Sequence, residues 1–195
     1  MDQKDLIEFL DSLEEHGIPG CDCMVYLNHK PVFRYMTGYA DKEKRKPINS
    51  ETYYWIYSVT KLVTCAAVMQ LVERGLISLD DPVYLYIPEY KNMNVKCGNA
   101  IKPAQNTMTI RHLMSMQSGM NYNIFSPSIL KVLKETNGKA TTMEVIKALA
   151  QEPLDFEPGT RFQYSLSHDV LGALIEVVSG TSFDVYVKQN ILHPL

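Results

Sequence analysis

Leu6, Ile7, Leu10 and Leu13 recur at helical spacing, so the first fifteen residues or so read as an amphipathic helix, ended by Gly17, Pro19 and Gly20. Cys23–Leu27 and Val32–Tyr39 then read as strands of a hairpin around Asn28-His29-Lys30-Pro31. Over Val59–Glu73 the period returns to helical. Leu62, Val63, Ala66, Ala67, Val68, Leu71 and Val72 give that helix a broad apolar surface, and Gly75 closes it. A surface that wide predicts a buried helix at the centre of the fold.

Beyond it, Leu79-Asp80-Asp81-Pro82 predicts a turn, and Ile87-Pro88-Glu89-Tyr90 leads into a loop reaching about Asn106. A short helix is predicted near Ile110–Met116, closed by Ser118-Gly119. Thr141 with Glu144 forms a capping box that starts a helix ending near Gln151. After a loop over Pro153–Gly159, Val170–Val178 reads as a second buried helix ending at Gly180, and Ser182 caps a last one to about Asn190. The pattern thus predicts several helices and one hairpin. Two strands alone are marginal in water and expose both edges, so the sheet is expected to be completed by strands this chain lacks. The sequence stops at His193-Pro194-Leu195 directly after a helix, and it reads as a truncated piece of a longer protein.

The chain of 195 residues is long enough to bury a core, and its length suggests one domain. With 46% hydrophobic and 21% charged residues, it is too apolar for a disordered chain. A net charge of -3 argues against nucleic acid or an anionic membrane as a partner. No apolar run is long enough to span a bilayer. Met1-Asp2-Gln3-Lys4-Asp5 lacks the basic and apolar stretches of a secretion signal, so a cytoplasmic location is expected. The four cysteines, Cys21, Cys23, Cys65 and Cys97, have no zinc-ligand spacing with the histidines and are expected as free thiols. Neither a metal nor an organic cofactor is implied.

Ser58-Val59-Thr60-Lys61 is the constellation that could carry chemistry. A serine hydroxyl needs a neighbouring base to take its proton. Residues three apart share a helix face, so Lys61 can aim its amine at the Ser58 oxygen. A place at the first turn of a helix also gives Ser58 free backbone N–H groups and the positive end of the dipole, both suited to an oxyanion. An apolar helix around Lys61 is expected to lower its pKa, as a base requires. Ser-x-x-Lys also arises by chance. Here it follows the aromatic run Tyr53-Tyr54-Trp55-Ile56-Tyr57 and opens a helix with apolar faces.

Ser58-Val59-Thr60-Lys61, continued by Leu71-Val72-Glu73-Arg74-Gly75, Leu79-Asp80-Asp81-Pro82 and Tyr86-Ile87-Pro88-Glu89, resembles class C β-lactamases and their relatives. Those relatives include D-alanyl-D-alanine carboxypeptidases and the family-eight carboxylesterases. Thr109-Ile110-Arg111-His112-Leu113-Met114 with Ser118-Gly119 is similar to the next shared block, and Phe156 to Ser165 to a third. The resemblance covers about Gly38 to Leu195. It implies an α/β (α+β) fold like the penicillin-binding proteins: an antiparallel sheet flanked by helices, with a helical subdomain over about 80–160 and the sheet incomplete.

The family's second catalytic element, Tyr-x-Asn, falls on Tyr164-Ser165-Leu166. The resemblance gives Tyr164 the task of moving the nucleophile's proton to the leaving group. A phenol, near pKa ~10, can do so at neutral pH only if a cation such as Lys61 stabilises its phenolate. Which of the two is the base stays open. Leu166 cannot donate the hydrogen bond that asparagine gives a substrate amide, which favours ester substrates over β-lactams. His168 either lines the cleft or caps the next helix, and Ser118 shapes a loop beside the site; with Leu166 these are the expected substrate contacts. His112 reads as structural.

A third family element, a Lys/His-Thr/Ser-Gly or Trp-x-Gly stretch on a later strand, is absent from this sequence. The expected activity is hydrolysis of a small carboxylic ester or amide through a Ser58 acyl-enzyme. A β-lactamase or carboxypeptidase, or an inactive remnant that binds a partner, are the rivals.

Overall fold

The chain divides into two compact units, Met1–Ile56 and Tyr57–Leu195. The computed structural model describes residues 3–195; Met1 and Asp2, which begin the polar N-terminal stretch, lie outside the described residues.

In the first unit, helix α1 (Gln3–Ser12) runs into a 3-10 turn over Leu13–His16, and left-handed Gly17 ends it. Strands β1 (Gly20–Leu27), β2 (Lys30–Asp41) and the short β3 (Lys46–Pro47) form an antiparallel sheet in that order. Leu27 pairs with Lys30, so the hairpin turn is Asn28-His29, both with positive φ. Such a two-residue left-handed turn matches the twist of the paired strands. The turn is therefore tighter than the four-residue one the sequence suggested, because Lys30 and Pro31 already belong to the ladder. Asp11 of α1 accepts hydrogen bonds from Tyr35 (3.0 Å) and Thr37 (2.7 Å) of β2, which fastens the helix to the sheet. Across the hairpin Arg34 holds Asp22 in a bidentate pair at 3.0 and 2.7 Å.

The second unit is built around helix α6 (Ser167–Ser179), whose Val170, Leu171, Ala173, Leu174 and Ile175 are fully buried. Helix α2 (Thr60–Glu73) lies against it through Thr64, Ala67, Val68 and Leu71. The expected all-round burial of α2 does not hold. Leu62 is 71% exposed and Met69 is 40% exposed, so the wide apolar surface divides into a packed face and an open one.

Helix α3 (Ile110–Met114) packs on α6 through the same core and begins with reciprocal hydrogen bonds between Thr109 and His112. Helices α4 (Pro127–Glu135) and α5 (Thr142–Leu149) pair with one another, and α5 also meets α6. The Thr141–Glu144 capping box expected for α5 is present in both directions. Gly180 adopts the left-handed conformation that ends α6, and the short α7 (Phe183–Val187) continues as a π-helical turn over Lys188–Leu192. Ser182 does not cap α7 with its side chain; its hydroxyl donates to Asp184 instead.

Three elements of this unit differ from the pattern's forecast. The stretch read as loop contains a second hairpin, β4 (Asn94–Cys97) and β5 (Ala100–Pro103), and α4 occupies a segment for which no element was predicted. Four-residue strands are too short to show alternation. This pair persists because Asn94 and Lys96 also exchange backbone hydrogen bonds of 2.8 Å with Leu154. Helix α4 has a β-region Ser126 followed by Pro127 at its start, with no side-chain cap. Among the described residues, no single helix is long and apolar enough to cross a membrane, and all four cysteines are free.

Candidate active site

Ser58 sits in a single 3-10 turn, Tyr57–Val59, that runs straight into α2. Its position is exposed rather than at a buried helix start. Tyr57, immediately before it, has φ of 41°, a left-handed conformation that costs a bulky residue about 1–3 kcal/mol and clusters at functional sites.

Lys61 is one turn further on, and its Nζ lies 3.4 Å from Ser58 Oγ. The Tyr164 hydroxyl donates to the same Oγ at 2.6 Å, across 106 residues of chain. Three residues predicted from spacing and resemblance therefore converge on one oxygen.

Backbone and amide hydrogen bonds bring Tyr164 there. Gln163 N–H donates to Met116 O at 2.8 Å, and the Gln163 side chain spans Met120 O and the Asp155 carboxylate. Leu166 N–H then donates to Asn121 O at 3.2 Å. The 163–166 segment is thus laced to the 116–121 loop, whose tight path requires Gly119: with φ of 87°, any Cβ there would run into Phe156 O. The same lacing delivers Tyr122, which spacing gave no reason to single out. Its ring centroid lies 5.2 Å from that of Tyr164.

Lys61 Nζ stands 5.0 Å from the Tyr164 ring centroid and 5.5 Å from that of Tyr122. Burial pulls the Lys61 pKa down. Its interaction with the Tyr164 oxygen, and the charges of Tyr122, Tyr164 and Asp169, outweigh that, and the ammonium ends above the ordinary lysine range. This corrects the expectation of a lowered lysine: burial does act in that direction, but the neighbouring oxygens dominate. For Tyr164 the same contact works in reverse. Lys61, then Ser58, hold the phenol below its usual range. The two shifts share one cause, the hydrogen-bonded cation. Both shifts favour the charged form: an ammonium on Lys61 and a Tyr164 phenol more acidic than an ordinary tyrosine.

The other expected contacts lie elsewhere. Leu166 is 7% exposed and belongs to the hydrophobic core, so it offers no face to a ligand. Ser118 is fully buried as well; its hydroxyl is 2.7 Å from Ser167, which is 2.7 Å from Ser165. These two are corrected from substrate contacts to interior ones: Leu166, at the N-cap of α6, packs into the core, and Ser118 of the 116–121 loop is buried against Ser167. His168 sits in the first turn of α6, half-buried, with Nε2 3.3 Å from Met114 O and Nδ1 lacking a hydrogen-bond partner. Burial keeps its pKa low. Its ring does line a cavity of about 280 Å³ beside Lys61, together with Thr64, Asp169 and Phe183. It is not the cap of α6, where Leu166 holds the N-cap position. His112 is a capping residue of α3, and Asp80 holds Arg111 at 2.7 and 2.9 Å, both structural tasks. A separate cavity of about 300 Å³ is lined by the Lys147–Glu89 ion pair and by Ser128, away from Ser58, Lys61 and Tyr164. Among the described residues, no group of three or more His, Cys, Asp or Glu could hold a metal ion.

The profile of the family described as Beta-lactamase matches residues 6–195. Esterase EstB of Burkholderia gladioli is 32% identical over 193 residues, covering 96% of this chain and 48% of EstB. Protein flp of Staphylococcus aureus (strain MW2) is 30% identical over 95% of this chain and 36% of its own length. Among solved structures, EstCE1, a hydrolase with promiscuous acyltransferase activity, superposes with a TM-score of 0.81 at 26% identity, covering 98% of this chain and 51% of EstCE1. The octameric penicillin-binding protein homologue from Pyrococcus abyssi gives 0.75 at 31% identity, covering 100% of this chain and 43% of that one. The chain thus spans about half the length of EstB and of EstCE1, and its mixture of helices and antiparallel strands is the β-lactamase-like fold with partial sheets. Matched by that profile over nearly its whole length, the chain belongs to the β-lactamase family.

Proposed function

We propose that this chain carries the acyl-transfer centre of a serine hydrolase, with Ser58 as nucleophile and small carboxylic esters as the preferred substrates. The observation that carries the reading is the convergence of Tyr164 OH and Lys61 Nζ on Ser58 Oγ, at 2.6 and 3.4 Å. Tyr164, as phenolate held by the Lys61 ammonium, takes the Ser58 proton as Oγ attacks the ester carbonyl. The tetrahedral oxyanion is met by backbone amides at the start of the turn into α2 and by the positive end of that helix. Tyr164 returns the proton to the departing alkoxide, leaving a Ser58 ester. Water, deprotonated by Tyr164, cleaves that ester and regenerates the hydroxyl. Lys61 keeps its proton throughout and holds the negative charge on Tyr164.

The buried Leu166 supports esters over β-lactams, since no side-chain amide stands two residues after Tyr164 to receive a substrate amide. Similarity to EstB and EstCE1 points the same way. A fluorophosphonate probe with mass-spectrometric mapping tests the nucleophile. Labelling at Ser58 in protein shown to be folded by circular dichroism is expected, and folded protein that never labels refutes the proposal. Hydrolysis of p-nitrophenyl acetate without nitrocefin turnover is the expected preference; the converse would make the site a β-lactamase.

A further inference from the structure

Tyr122 has no place in the proton transfers above, yet it touches both groups that perform them. Its ring lies 5.2 Å from the Tyr164 ring and 5.5 Å from Lys61 Nζ. The tyrosines are inclined by 31°, and the ammonium stands within cation–π distance of both rings. Tyr122 is 47% exposed, so core packing does not account for its position. The loop that bears it is fixed on its N-terminal side. Met120 before it is buried, Asn121 O accepts from Leu166 N–H, and the Asn121 side chain reaches Asp155, which also holds Gln163.

We infer that Tyr122 is a positioning residue for the Lys61–Tyr164 pair, its ring bracing the phenol and giving the ammonium a second aromatic face. This rests on the reading of Ser58, Lys61 and Tyr164 as one proton-transfer unit. A long lysine side chain has many rotamers. Two inclined rings around its head confine it beside the Tyr164 oxygen, where its charge stabilises a phenolate. Ser58, hydrogen-bonded to the phenol from the turn before α2, acts on it in the same sense as Lys61, and Asp169 of α6 in the opposite sense. The ring of Tyr122, rather than its hydroxyl, supplies the brace.

The test titrates the Tyr164 phenol directly by NMR of tyrosine labelled with carbon-13 at Cζ, its signal assigned by its loss in Tyr164→Phe. In the full chain its midpoint is expected below that of free tyrosine. In Tyr122→Leu it should move up by about 0.3–0.7 pH, the two- to fivefold change in proton affinity that one exposed cation–π contact supports. Tyr122→Phe, which keeps the ring, should leave it unchanged. An unmoved midpoint in folded Tyr122→Leu, or an equal movement in Tyr122→Phe, overturns the inference. Because this titration needs no catalysis, it is separable from the hydrolase reading. If the midpoint moves as expected while Ser58 never labels, the brace stands and the reaction assignment falls.

Discussion

Removing the Tyr164 hydroxyl is the sharpest perturbation of the proposed chemistry, because it deletes one oxygen and little else. In Tyr164→Phe the ring remains, and with it the contact to Tyr122 and the aromatic face under Lys61. The side chain is 44% exposed, so no core packing is lost. What goes is the hydroxyl 2.6 Å from Ser58 Oγ, leaving Lys61 at 3.4 Å as the other polar side chain at that oxygen among the described residues. Lys61 is held charged by its neighbours, however, and a lysine above its ordinary range is a poor base near neutrality. Loss of a positioned general base typically costs about 10²–10⁴-fold. Rates of fluorophosphonate labelling at Ser58 and of p-nitrophenyl acetate hydrolysis should both fall by about that factor at pH 7. The wild-type rate should also rise with pH along a limb whose midpoint is below the ordinary tyrosine value of 10.0, since that limb reports phenol deprotonation. Tyr164→Phe should abolish the limb. A folded Tyr164→Phe that labels within about threefold of wild type, with the same limb, would refute the assignment of the base to Tyr164.

Lys61→Met should displace the same limb upward, because the phenol loses the cation that holds it down; a pH profile of Ser58 labelling checks this, and an unshifted limb would separate the lysine from the tyrosine. Leu166→Asn restores the asparagine of related sites but puts an amide among buried apolar side chains. It should cost about 1–3 kcal/mol in urea unfolding and yield no nitrocefin hydrolysis. Thr141→Ala removes the side chain that accepts from Glu144 N–H and donates to its carboxylate, so thermal unfolding should show a loss of about 1 kcal/mol.

Much of the site was legible before any coordinates because its parts are local. Ser58 and Lys61 are three residues apart, and helical geometry alone places them together. Tyr164 came from resemblance across a long stretch of chain, which periodicity cannot supply. Tyr122 left no sign. A tyrosine in a loop is unremarkable until Asn121, Gln163 and Asp155 are seen to tie that loop to the 163–166 segment. The direction of the Lys61 pKa shift escapes the sequence for a related reason. Its own helix is apolar, but the groups that set its charge come from the 122 loop, the 164 segment and α6.

Periodicity and caps alone determined the elements whose signals are internal to them: α1, the β1–β2 hairpin, α2, the Thr141 capping box and the Gly180 end of α6. Each rests on contacts within a few residues, so local order suffices to encode it. Tertiary structure decided which face of α2 is covered, that Leu166 and Ser118 point into the core, and that the short β4–β5 pair is held by Leu154. It also decided the proton arrangement at Ser58. Burial, strand pairing and the field at a charged group all depend on partners distant in the chain, and no window of neighbouring residues contains them.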